Sequence, residues 1–282
     1  MPIKLIECPR DAMQGIKEFI PTPTKIKYIQ KLLTVNFDVL DCTSFVSPKA
    51  IPQLSDSAQV LEALDLSQTK SKLLSIVANK RGAQDAVQFN QVDYLGFPFS
   101  ISEEFQKRNI NSTIQVSFER TQEIQEICIK NNKDLVVYIS MGFGNPYGEH
   151  WSTELVEQWT EKLNSIGVKY ISLSDTIGVA KPIEITQVFE AVIPKFKNIE
   201  FGAHFHTKPD EWKEKVEAAY NAGCKKFDGA IKGYGGCPMA EDELTGNMPT
   251  ENLVHFFDEK ESMNINQDKF FEAMKASIEV FT

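Results

Sequence analysis

Residues 199–231 read IEFGAHFHTKPDEWKEKVEAAYNAGCKKFDGAI. The apolar run Ile199–His206 has the length of a strand. The polar stretch Lys208–Ala222 carries its apolar residues at helical spacing. Lys208-Pro209-Asp210-Glu211 puts proline near a first helical turn, and Gly223 supplies a stop. A second apolar run, Lys226–Ile231, follows. Strand, crossover helix and strand in so short a span predict two parallel strands. The same alternation fills the rest of the chain. Strands are expected at Ile3–Cys8, Phe37–Phe45, Lys72–Ala78, Val92–Phe99, Leu135–Met141 and Tyr170–Ser174, and helical patterns at Thr24–Val35, Asp56–Leu64 and Thr153–Ser165. Eight strand-then-helix units fit an α/β (β/α)8 TIM barrel closing on itself. An open doubly wound sheet is the alternative, but no glycine-rich nucleotide fingerprint follows any of the runs. No Pro/Gly/Ser-rich linker cuts the chain. A single barrel domain over residues 1–282 is expected, with a helical extension over about 250–282 that includes an amphipathic helix at Gln267–Phe281.

The 282 residues carry 30 Lys+Arg against 39 Asp+Glu, a net charge of −9, which argues against a nucleic-acid or membrane-surface binder. An anionic small substrate needs only a local basic pocket. No apolar run approaches a membrane span. Glu7 stands where a signal peptide would be apolar, so cytoplasm is expected. Five cysteines, at 8, 42, 128, 224 and 237, form no CxxC pair. Most are expected as small buried hydrophobes in a reducing compartment.

In such a barrel, chemistry sits at the carboxyl ends of the strands. Strand 1 is expected to end at Arg10-Asp11, strand 2 around Asp41, strand 6 at Ser174-Asp175-Thr176 and strand 7 at His204-Phe205-His206. His204 and His206 are i and i+2 on a strand, so they share a face and can reach one metal. Closure puts strand 1 beside strand 8 and two from strand 7, where Asp11 can complete a mixed site and Asn247 can add an amide oxygen. Two His, one Asp and one Asn suit Mg²⁺ or Mn²⁺, while Zn²⁺ fits by ligand type alone. Arg10 beside a cation is a fixed positive charge for an enolate or a carboxylate. Cys237, after Gly235-Gly236, is a loop thiol whose pKa these charges would draw down, a candidate acid or base.

These residues resemble the 3-hydroxy-3-methylglutaryl-CoA lyase family, within the metal-dependent lyase and aldolase barrels. The likeness spans Pro9-Arg10-Asp11 with Gln14, Thr43-Ser44-Phe45-Val46-Ser47-Pro48-Lys49, Ser172-Leu173-Ser174-Asp175-Thr176, His204-x-His206, Gly235-Gly236-Cys237-Pro238 and Gly246-Asn247. The resemblance implies cleavage of hydroxymethylglutaryl-CoA to acetyl-CoA and acetoacetate, a reaction of leucine breakdown and ketone-body formation. It implies Asp11, His204, His206 and Asn247 as metal ligands, and Arg10, Cys237, Asp41 and His204 as catalytic. Gln14, Ser172, Thr176 and Lys17 become substrate or CoA contacts, Asp175 a support behind them, and a homodimer is expected by analogy. Arg10→Met or Cys237→Ala is expected to cost turnover with little loss of folding. The chain departs from the family pattern at Asp41, where Glu is usual. It departs again at Thr207-Lys208-Pro209-Asp210, where an acid usually follows the second histidine. The spacing from Cys237 to Asn247 is also one residue longer. A sister lyase or aldolase acting on another hydroxyacyl-CoA or hydroxy-oxoacid is the first alternative, and a non-catalytic acyl-CoA-binding barrel the second.

Overall fold

The computed structural model describes residues 2–236, 245–261 and 263–281. Eight parallel strands close a barrel: β1 Lys4–Glu7, β2 Val39–Ser44, β3 Lys72–Ile76, β4 Val92–Ser100, β5 Asp134–Ser140, β6 Tyr170–Asp175, β7 Glu200–Thr207 and β8 Lys226–Gly229. They run in chain order, with β1 paired to β8 and β6 to β7. The expected TIM barrel is the fold found, and each strand lies where the sequence put it, within two residues at most ends. A ninth short strand, β9 Gly246–Asn247, was not foreseen and pairs antiparallel with β7. Its residues were expected in a loop.

Alternation along the strands makes two separate cores. Leu5, Leu40, Leu73, Leu95 and Leu135 point outward and pack with the helices in the large cluster. Ile6, Leu74, Ile76, Val136 and Tyr138 form a second cluster, the filling of the barrel.

The helices are α1 Pro9–Gln14, α2 Thr22–Leu33, α3 Ser57–Ala63, α4 Lys80–Ala86, α5 Glu103–Ile110, α6 Ile114–Lys130, α7 Thr153–Ser165, α8 Pro182–Lys195, α9 Trp212–Asn221, α10 Thr250–Asp258 and α11 Gln267–Phe281. Two differ from expectation. Arg10 and Asp11 do not end a strand but lie in the first turn of α1. The Cys8 N–H completes the ladder on Gly229 O at 2.8 Å, and Pro9, with φ preset and no N–H to lose, starts a helix at once. Helix α9 begins at Trp212 rather than Lys208. β7 runs on through Thr207, and Pro209 keeps the residue before it out of the helical region. Within 250–282, α10 packs on β8 as the barrel's own eighth helix, and α11 is the addition, packed on α2. Phe281 at its end stacks on Tyr234 at 4.4 Å between centroids. Cys8, Cys42, Cys128 and Cys224 are buried free thiols, as expected. No helix among the described residues is long and apolar enough to cross a membrane.

Glu7 fastens the seam where the barrel closes. It is fully buried; Oε1 accepts from Ile231 N at 2.9 Å and Oε2 from Thr250 Oγ1 at 2.5 Å, tying β1 to the exit of β8 and the start of α10. Burial raises its pKa from 4.5 to about 8, against the lowering effect of those two hydrogen bonds. The folded protein therefore favours the protonated acid. The stabilisation is complete below about 4.5 and drains away as pH rises toward about 8, by about 1.4 kcal/mol per pH unit. Urea unfolding across that range should show wild-type stability falling with pH and Glu7→Gln falling less. Equal slopes in the two proteins would remove Glu7 as the cause.

Candidate active site

The carboxyl mouth of the barrel gathers Arg10 and Asp11 from α1, Asp41 from β2, His204 and His206 from β7, Asp228 from β8 and Asn247 from β9. Arg10 is buried, at 7% exposure. Its Nε donates to both Asp41 oxygens at 3.1 Å, and Nη2 donates to Asp41 Oδ2 at 2.5 Å. Its Nη1 donates to Asp11 Oδ1 at 3.0 Å and Gln14 Oε1 at 2.9 Å. The register of β2 on β3 slips between Asp41 and Thr43, a bulge of the kind that re-aims side chains. The shorter acid thus still makes the forked contact. Burial works against the Arg10 charge, but Asp41 and Asp11 outweigh it and hold the guanidinium protonated. Burial likewise works against the Asp11 charge. Arg10, then His204, His206 and an Asn247 hydrogen bond, prevail and lower its pKa to about 2.

The two histidines are oriented from behind. His206 Nδ1 lies 2.6 Å from Thr176 O; a carbonyl only accepts, so Nδ1 carries the proton. Nε2 is then a bare lone pair, buried and without a hydrogen-bond partner among the described residues, 4.0 Å from Asp11 Oδ2. His204 Nδ1 lies 3.0 Å from Asp228 Oδ2, the carboxylate–histidine arrangement that prepares a metal ligand. Ligand atoms of Asp11, His204 and His206 fall within 4.8 Å of one another. An orphaned imidazole nitrogen beside an ionised carboxylate fits a divalent cation. Asn247 sits opposite His206 in the β7–β9 pair. Its amide nitrogen is spent on Asp11 Oδ2 at 2.7 Å and Tyr234 O at 2.9 Å, so any part in holding a cation falls to its carbonyl oxygen.

Among the remaining expected residues, Gln14 bridges Arg10 and Asp11. The Ser172 hydroxyl is buried and donates to Asp228 Oδ2 at 3.3 Å. Thr176 Oγ1 accepts from Met141 N at 2.8 Å, and its carbonyl holds His206. Asp175 caps the Val179 and Ala180 N–H groups. Lys17 is exposed just beyond α1. Cys237 lies outside the described residues. Two participants went unnoticed in the sequence. Asp228 had a signal, a carboxylate inside the apolar run Lys226–Ile231, where burial demands a partner. Lys215 had none, because Lys213, Glu214 and Glu217 around it look like a solvated helix face.

A closed parallel barrel that collects such donors at its carboxyl rim has the make-up of a metal-assisted enzyme. Residues 3–276 match the HMGL-like family model. The hydroxymethylglutaryl-CoA lyase of Bacillus subtilis is 31% identical over 268 residues, covering 95% of this chain and 89% of that protein. The mitochondrial hydroxymethylglutaryl-CoA lyase of Bos taurus is 34% identical over 254 residues, covering 90% of this chain and 77% of that protein. The structure of an HMG-CoA lyase from Acinetobacter baumannii, in complex with coenzyme A and 3-methylmalate, superposes with a TM-score of 0.91 at 29% identity, covering 99% of this chain and 91% of that one. The chain belongs to the HMGL-like family.

His206→Ala removes the orphaned nitrogen and should weaken Mn²⁺ binding by about tenfold or more in calorimetry, with circular dichroism unchanged. Unaltered Mn²⁺ affinity would remove His206 from the ligand set.

Proposed function

We propose that the protein cleaves 3-hydroxy-3-methylglutaryl-CoA to acetyl-CoA and acetoacetate by a retro-Claisen reaction. One observation carries the reading: adjacent residues of α1 join a fixed guanidinium, Arg10 on Asp41, to a metal-ready carboxylate, Asp11 beside His204 and His206. The names of the relatives and the coenzyme A in the Acinetobacter structure support the substrate class. Asp11, His204, His206 and Asn247 would hold Mg²⁺ or Mn²⁺, since the set mixes imidazole with oxygen donors. When bound, the cation supplies Lewis acidity to the tertiary hydroxyl and a carboxylate oxygen of the substrate.

The chain's own residues do the rest. The hydroxyl proton passes to Asp41 Oδ1, which is held only by the longer Nε contact. Burial raises the Asp41 pKa despite Arg10, and a stronger base results. The carbon–carbon bond then breaks. Its electron pair moves onto the thioester as an enolate, and the hydroxyl carbon becomes the ketone of acetoacetate. Four of the five Arg10 N–H bonds are engaged among the described residues, which leaves one on Nη2 for the enolate oxygen. Cys237 delivers a proton to the enolate carbon to give acetyl-CoA, and solvent exchange resets both groups. Lys17, exposed just beyond α1, would meet CoA phosphates. Four buried free thiols suit a cytoplasmic setting, and family likeness suggests a homodimer.

A coupled acetoacetate assay with hydroxymethylglutaryl-CoA should give product with Mg²⁺ or Mn²⁺ and none with EDTA. No product from metal-loaded protein would favour the second reading, a sister lyase for another hydroxyacyl-CoA or hydroxy-oxoacid. The shortened Asp41 and the Thr207-Lys208 segment motivate that reading.

Cys237→Ala should lower kcat by about 10²–10⁴ with the unfolding midpoint unchanged. Arg10→Met should lower it as far, and burial of the pair adds a stability cost to that variant. Without Arg10, Asp41 and Asp11 face each other buried and uncompensated, at a cost of about 3–5 kcal/mol in denaturant unfolding. Wild-type stability in Arg10→Met would mean the pair is not desolvated as described.

A further inference from the structure

We propose that Lys215 is a positioning residue of the metal site, holding the ends of β6 and β7 so that His206 stays aimed as a ligand. The inference rests on the metal-site reading above. Lys215 lies on α9, outside the barrel, yet it is only 3% exposed. Its ammonium donates to Asp175 Oδ2 at 2.7 Å, Gly178 O at 2.8 Å and His206 O at 3.1 Å. An ammonium has three N–H bonds, and all three are used. Two acceptors belong to the exit of β6, and the third is the backbone of His206 itself.

The same loop holds the His206 ring from the other side, through Thr176 O on Nδ1. Backbone and ring of one ligand are thus fixed to one segment, and Lys215 is the cation that binds that segment to β7. The loop is also wedged toward β9. A Cβ at Gly178 would stand 2.7 Å from Thr245 Cγ2 and 3.4 Å from His206 O. The residue directly after the second histidine is Thr207, not an acid. Thr207 turns its hydroxyl to Lys208 O and brings no charge. Asp175 is 1% exposed, and Lys215 is the cation that compensates it. A buried pair of this kind adds little net stability over apolar side chains, and its best-attested use is to fix register. Here the register is that of the loop 176–180 against His206.

Mn²⁺ binding to purified protein, read from the free-ion electron paramagnetic resonance signal, tests this beside thermal unfolding of the metal-free forms. Lys215→Met should raise the Mn²⁺ Kd by about tenfold or more. If that variant folds poorly, Lys215→Met with Asp175→Asn removes both charges and keeps a side-chain oxygen for the Val179 and Ala180 N–H groups. It leaves His206 O and Gly178 O untethered, so Mn²⁺ binding should stay weak. A Kd within about twofold of wild type in either folded variant would overturn the proposal and reduce Lys215 to a structural residue. No Mn²⁺ binding by the wild type would overturn the metal reading, and this with it.

Discussion

The guanidinium of Arg10, lodged between Asp41 and Asp11, is the contact on which the site depends. Two buried carboxylates at the mouth of a barrel repel each other and lose hydration. One cation, forked onto Asp41 and single-bonded to Asp11, makes them tolerable together. The arrangement keeps Asp11 ionised far below neutral pH and aimed at the histidines. It also keeps a positive charge in place where no solvent ion could stay. Each neighbour inherits its position from this pair. Gln14 spans the two residues, Asn247 closes on the remaining Asp11 oxygen, and His206 faces the same oxygen without a bond.

Behind this front lies a layer of supports. Asp228 fixes the tautomer of His204 and takes the Ser172 hydroxyl. Thr176 fixes the tautomer of His206 through its backbone. The Ser172 proton is given to Asp228, while the Thr176 hydroxyl only accepts, from Met141 N, and keeps its own O–H. A strand irregularity beside Asp41 and the forked arginine together keep the charged partners in contact.

The barrel was legible because its signal is redundant. Eight apolar runs at regular intervals leave few topologies, and the i, i+2 histidines could fall on one face only if β7 is a strand. The ligand candidates were legible for the same reason, since strand ends are where such a barrel works. Helix α1 was not legible, because Pro9-Arg10-Asp11 is too short to show a period and reads as the tail of β1. Strand β9 was not legible because two residues carry no alternation, and its pairing to His206 is set by the fold around it. Lys215 was hidden by chemistry. A lysine among charged neighbours looks solvated, and only the packing of α9 on the exit of β6 turns it inward.

The seam between β1 and β8 carries a further meaning for how the protein comes into being. Asn247 and Asp11 bond across 236 residues, and β1 meets its last partner only when nearly the whole chain exists. Early strand–helix units can collapse first, yet the two ends of the site meet only when that seam closes. Contacts of such separation are slow to form. A chain in which that seam is still open therefore carries Asp11 and Asn247 as strangers.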